Sequence, residues 1–212
     1  MLLLGINDPI TFIIYLVVLV IAVTVHEFAH NYVAVLMGDP GPRRDGKLTL
    51  NPLAHISWQG FLMFIIIGFA PLGFAYINPR AMRDPRWGYF YAVAAGPFSN
   101  LLLAVIFAIP FQLLGFSGID VPSNLFLFFR LGVTLNVILF VFNLLPLYPI
   151  DGWTILYTLL PADLAYTWER WKQYSTYVLF GSILIGFVNP RLNVIGQIIG
   201  GPVNAIIRLL LG

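Results

Sequence analysis

The chemistry this chain can do is concentrated in His26-Glu27-Phe28-Ala29-His30. On a helix, residues four apart lie on one face, so both imidazoles can reach a single metal ion. Such a site suits zinc, which lowers the pKa of a bound water to about 7 and so supplies a nucleophile at neutral pH. Glu27 stands beside the first imidazole, where it can take a proton from that water. The bland alternative is a polar patch facing the interior of a helix bundle. Three ionisable groups in one pentad of an apolar segment are costly, however, and such groups mark function.

A catalytic zinc takes three protein ligands and keeps a fourth position open. The chain has no cysteine, which excludes thiolate zinc sites, iron–sulfur clusters, disulfides and cysteine nucleophiles. The third ligand therefore comes from His55 or from an acid. Asp8, Asp39, Asp45, Asp84, Asp120, Asp163 and Glu169 all sit in polar or turn-like stretches. Asp151 differs, because it ends the run Asn143-Leu144-Leu145-Pro146-Leu147-Tyr148-Pro149-Ile150-Asp151-Gly152 after a long apolar segment. Prolines and a glycine break a helix there, and irregular backbone at membrane depth is tolerated only beside protein or a watery cavity. The alternative is a loop carboxylate just outside the membrane.

Three further polar residues are candidates for the site. The amide of Asn143 needs partners within its apolar run, and it can serve an oxyanion or an interhelical hydrogen bond. Asn100, in Ala95-Gly96-Pro97-Phe98-Ser99-Asn100, suits a bridge between closely packed helices, with an auxiliary role at the site as the other reading. His55, in Asn51-Pro52-Leu53-Ala54-His55, reads as an interfacial histidine or as an additional ligand or substrate contact.

The elements that must position these groups are membrane elements. Hydrophobic residues make up 59% of the 212-residue chain and charged residues only 9%, against about 25% charged in a soluble domain. The few basic residues cluster between apolar runs, and no nucleic-acid footprint is present. Residues 1–9 lack a basic leader region and run straight into the motif-bearing segment, which argues against a cleaved signal. Apolar runs cover residues 10–37, 58–75, 88–114, 125–145, 174–188 and 194–211. The second is interrupted by Gly60, Gly68, Pro71 and Gly73, so a short or broken helix is expected there. Gly96-Pro97 should kink the third. The alternation Lys47-Leu48-Thr49-Leu50 suggests a strand able to receive an unwound substrate segment by strand addition. The expected architecture is an all-α membrane protein. It is a bundle of five or six transmembrane helices with a short interfacial β-hairpin after the first. A single domain spans 1–212, with the motif-bearing core at about 10–160 and C-terminal helices at about 161–212.

Taken together, these motifs resemble the site-2 proteases, a family of intramembrane zinc metalloproteases. The likeness rests on His26-Glu27-x-x-His30 and on Asn143-x-x-Pro146-x-x-Pro149-x-Asp151-Gly152. Leu50-Asn51-Pro52-Leu53-Ala54-His55-Ile56, Asn78-Pro79-Arg80 and Ala95-Gly96-Pro97-x-x-Asn100 support it. It covers about residues 23–152 and is nearest the compact prokaryotic branch without a PDZ or nucleotide-sensing domain. The resemblance implies zinc on His26, His30 and Asp151, with Glu27 as general base and acid and Asn143 assisting the transition state. It also implies a multi-pass protein of a prokaryotic inner membrane. Its substrates would be membrane-spanning helices of other proteins, such as anti-sigma factors, or leftover signal peptides. Two departures bear on substrate handling: Trp153-Thr154 replaces the Gly-Arg expected after Gly152, and the Lys-Pro often found before Asn78 is missing.

Two other classes use the same residues. A membrane metal transporter would bind metal at His26, His30 and Asp151 but needs ionisable groups along successive segments. Here Arg130 and Arg208 are the main ones in the middle and final apolar runs. A catalytically inactive scaffold that binds membrane helices would have no use for Glu27. Oligomeric state has no signature in the sequence.

Overall fold

The computed structural model describes residues 7–67, 72–73, 75–116 and 120–212. Nine helices are found among them, in the order α1 (Pro9–Met37), α2 (Gly41–Arg44), α3 (Trp58–Ile67), α4 (Pro85–Phe116), α5 (Ser123–Asn143), α6 (Asp151–Leu159), α7 (Ala162–Arg170), α8 (Lys172–Val188) and α9 (Val194–Leu211). Short 3-10 turns occur at Pro52–Ala54, Pro79–Ala81 and Pro190–Leu192.

Helix α1 begins where Asp8 accepts a hydrogen bond from the Thr11 N–H at 3.1 Å, with Pro9 at the first helical position. The Thr11 hydrogen bonds hold the Asp8 carboxyl below its ordinary pKa. The helix stops at Gly38, whose φ of 114° is left-handed and whose N–H turns back to Ala34 and Val35. Just beyond it, buried Asp39 accepts from the N–H groups of Gly41 (2.9 Å) and Asn78 (2.7 Å). One carboxylate thereby ties the end of α1 to the segment leading into α4.

Helices α1, α4 and α5 pack on one another, and α6 packs against α4. Ala104, Phe107 and Ala108 of α4 meet Val133 and Val137 of α5 and Val203 of α9 in the main apolar core. On the other side of α1, Leu19 and Val23 pack against Phe64 of α3. The C-terminal helices join through Ile150, Leu179 and Ile195. Helix α4 runs through both Pro97 and Pro110, so Gly96-Pro97 does not end it. At its start, Arg86 donates to the carbonyls of Thr158 (2.7 Å), Leu159 and Leu160 (both 3.2 Å), which caps the far end of α6 with positive charge.

Two parts of the expected architecture are corrected. Four helices among the described residues are long and apolar enough to cross a bilayer, α1, α4, α5 and α9, rather than five or six. Within the apolar stretch from Trp58, the described helix is the 10 residues Trp58–Ile67, about 15 Å. The 17 residues of α8 rise about 26 Å against a hydrocarbon core of about 30 Å. The expected breaks at Gly68 and Pro71 lie outside the described residues.

No β-strand occurs among the described residues, so the expected interfacial hairpin is not present there and Lys47 to Leu50 is not a strand. Local bonds replace ladder pairing in this stretch. Lys47 Nζ donates to the Ala54 carbonyl, and Thr49 Oγ1 accepts from the Asn51 N–H. Asn51 Oδ1 in turn caps the following 3-10 turn. The nearest thing to sheet is one antiparallel bridge between Ile56 and Gly73.

The α4–α5 contact depends on a missing side chain. A Cβ built on Gly132 would lie 2.4 Å from the Phe107 ring. Gly132→Ala is therefore expected to destabilise the protein by about 1–3 kcal/mol through overpacking. Thermal unfolding in detergent should show a lower midpoint; an unchanged midpoint would mean that Phe107 moves aside freely.

Candidate metal centre

His26 and His30 lie one turn apart on α1, both buried, with their rings edge to face and 4.5 Å between centroids. Their Nδ1 atoms are engaged away from each other. His30 Nδ1 lies 2.8 Å from the Ala92 carbonyl, which can only accept, so Nδ1 carries the proton. His26 Nδ1 lies 2.7 Å from Asn100 Oδ1. The Asn100 amide is oriented by its Nδ2, which donates to the Ala22 carbonyl (3.1 Å) and to Asn136 Oδ1 (2.9 Å). Its Oδ1 therefore faces His26, and that Nδ1 also carries the proton.

In the neutral imidazoles both Nε2 atoms are then bare lone pairs, and they stand 3.0 Å apart. Asp151 Oδ2 lies 3.2 Å from His26 Nε2 and 3.3 Å from His30 Nε2. That oxygen is buried and receives no hydrogen bond. With both rings neutral, three acceptors converge with no donor among them, an arrangement that is repulsive unless a metal ion or a proton sits between them. Ligands about 2.0–2.1 Å from a tetrahedral zinc stand about 3.3 Å apart, close to the separations found here. The donor set and its buried acceptor fit a zinc-type ion. Two imidazoles whose other nitrogens donate to oxygen also have the usual outer shell of a metal-bound histidine.

The loop after α5 brings Asp151 to this point. Asp151 opens α6, where the helix N-terminus favours a carboxylate. Gly152 lets the start of α6 lie against the end of α5, because a Cβ there would be 2.3 Å from the Leu145 carbonyl oxygen. Tyr148 N–H donates to buried Ser175 Oγ and fastens the loop to α8. On α4, Gly96 passes so close that a Cβ would fall 2.2 Å from His30 Nε2 and 2.8 Å from His26 Cε1.

Glu27 is buried beside the cluster, and Gly73 passes tightly against it. A Cβ on Gly73 would stand 3.0 Å from Glu27 Oε1 and 2.7 Å from the His55 carbonyl. These groups form the polar end of a cavity of about 470 Å³ lined by His26, Glu27, His30, Asn143 and Asp151. The rest of its wall is largely apolar, with Leu19, Phe64, Leu139, Phe142 and Leu179 contributing. Asn143 Nδ2 donates to the Leu139 carbonyl, which uses one of its two amide protons.

Of the candidates read from the sequence, His26, His30 and Asp151 are the His, Asp and Glu residues that converge as a metal-holding group among the described residues. Glu27 and Asn143 share their cavity, and Asn100 lies behind His26. His55 is directed elsewhere, its Nε2 donating to the Thr49 carbonyl at 2.7 Å. Sequence reasoning missed the Ala92 carbonyl, which has no side-chain signal, and the close approaches of Gly96 and Gly73. It also missed Asn136, a polar residue in an apolar run just as Asn143 is.

The family model for peptidase family M50 matches residues 14–186. A Bacillus subtilis (strain 168) protein named "Putative zinc metalloprotease YwhC" is 35% identical over 187 residues, covering 86% of this chain and 84% of its own. A Mycolicibacterium smegmatis protein named "Putative zinc metalloprotease Rip2" is 30% identical over 195 residues, covering 86% of this chain and 69% of its own. No solved structure gives a significant match.

The space over the imidazoles provides a test. Gly96→Ala should displace His30 and lower the zinc content of the purified protein at least tenfold, as read by elemental analysis. A full complement of zinc in that variant would contradict the placement of His30.

Proposed function

This chain belongs to peptidase family M50, and on that premise we propose that it is an intramembrane zinc metalloendopeptidase acting on membrane-spanning segments of other proteins. The observation that carries this reading is the meeting of His26 Nε2, His30 Nε2 and Asp151 Oδ2 next to Glu27 in a cavity walled by apolar helices. His26, His30 and Asp151 would hold the zinc, which would supply Lewis acidity for the scissile carbonyl and for water.

The chain's own residues do the rest. Glu27 takes the proton of the attacking water and passes it to the leaving amide nitrogen, the general base and acid of one cycle. Its buried carboxylate is held between α1 and the segment at Gly73, so little reorganisation is needed. The second amide proton of Asn143 is available to the carbonyl oxygen as negative charge develops there. Asn100 and Ala92 hold the two imidazoles in the tautomer that bares Nε2. The apolar wall limits access of bulk water and strengthens each of these electrostatic contacts.

A substrate helix satisfies its backbone groups internally, so its scissile amide must be unwound before it can enter. Substrates with helix-weakening residues near the cut are favoured for that reason. Regulated cleavage of trimmed signalling precursors and clearance of leftover signal peptides both fit such a demand, in the inner membrane of a prokaryotic cell. In this reading residues 1–212 belong to a single domain, with the motif-bearing core at about 10–160 and C-terminal helices at about 161–212.

Glu27→Gln should reduce cleavage of a membrane substrate by about 10²–10⁴-fold while zinc content is retained. Undiminished cleavage would exclude Glu27 as the proton carrier. Stripping the wild-type protein with a chelator should abolish cleavage, and added zinc should restore it.

A further inference from the structure

The polar groups behind His26 extend one residue further than its immediate neighbour. Asn136, on α5, accepts from Asn100 Nδ2 at 2.9 Å and donates through its own Nδ2 to the Gly132 carbonyl at 2.8 Å. Asn100 and Asn136 are both 0% exposed, so each amide depends wholly on these partners. Asn136 does not line the cavity and cannot touch a substrate there.

The direction of each hydrogen bond is fixed by chemistry. The Gly132 carbonyl only accepts, which turns Asn136 Nδ2 toward it and leaves Oδ1 facing Asn100. Asn100 must then present Nδ2, which the Ala22 carbonyl also requires, and its Oδ1 faces His26. A carbonyl oxygen at 2.7 Å places the proton on His26 Nδ1 and bares Nε2 toward Asp151 and His30.

We propose that Asn136 is a positioning residue of the metal centre, acting through Asn100 to set the tautomer and aim of His26. The ladder joins α5, α4 and α1, so it couples the registry of three helices to one ligand. The inference rests on the reading that His26, His30 and Asp151 hold zinc. A purely structural interhelical bond would stabilise the fold without affecting metal affinity. Loss of Asn136 leaves the Ala22 carbonyl still orienting Asn100, so the effect should fall at the lower end of the 10–100-fold typical of direct outer-shell partners.

The test is the zinc dissociation constant of the full chain in detergent, measured by competition with a chelating dye, alongside the thermal midpoint of the zinc-free protein. Asn136→Leu should weaken zinc binding about tenfold. Asn136→Asp should bind within about twofold of wild type, because a neutral carboxyl accepts from Asn100 and donates to Gly132 in the same places. Should the leucine variant not fold, Asn136→Ser takes its place with the same expectation, since its hydroxyl is too short to reach Asn100. Unchanged zinc affinity in the leucine or serine variant, with or without a lower midpoint, would overturn the proposal and leave the metal site standing. A wild-type protein that binds no zinc would overturn both.

Discussion

The structure depends on keeping three hydrogen-bond acceptors together in an apolar interior. Two imidazole nitrogens and a carboxylate oxygen meet at 3.0–3.3 Å with no donor between them. Uncompensated, that arrangement opposes folding, because buried lone pairs without partners are costly and these also repel. A cation bound there would turn the same geometry into a source of stability and would couple metal binding to folding. The surrounding hydrogen bonds then serve one end. Each removes an alternative by which the imidazoles could pair with something else.

Backbone closeness is what makes the geometry attainable. Gly96 lets α4 run directly over the imidazoles, and Gly152 lets α6 start against the end of α5. At Gly73 the absence of a side chain lets the backbone lie close to Glu27. A methyl group at any of the three would fall within about 3 Å of a neighbour and push apart the elements that build the site. At the opposite end of α6, Arg86 binds its last carbonyls, so the helix carrying Asp151 is held at both ends. The apolar remainder of the four long helices among the described residues suits a membrane setting, and the polar end of the cavity is the exception within it.

Side-chain chemistry at short spacing is legible in a sequence, and backbone geometry is not. The four-residue spacing of His26 and His30 places them on one helix face whatever surrounds them. Asp151 stands out because Pro146, Pro149 and Gly152 break an apolar run, and its meeting with the histidines follows from that break. The number of spans is not legible in the same way. An apolar run reports composition, and neither the described helix Trp58–Ile67 (10 residues) nor Lys172–Val188 (17 residues) is long enough to count as a span. Four alternating residues at Lys47 to Leu50 do not make a strand when side-chain-to-backbone bonds are nearer than a partner. The Ala92 carbonyl that fixes His30 belongs to the backbone and leaves no trace in residue type.

The proposed function stands on a zinc ion held by two imidazoles and one carboxylate inside a membrane protein of the M50 family. Zinc K-edge X-ray absorption on the purified chain in lipid nanodiscs tests it directly. A four-coordinate zinc is expected, with a first shell of nitrogen and oxygen at about 2.0–2.1 Å. Outer-shell scattering should match two imidazoles, falling to one when His30 is replaced. A spectrum without imidazole scattering, or one unchanged by replacing His26, His30 or Asp151, would contradict it.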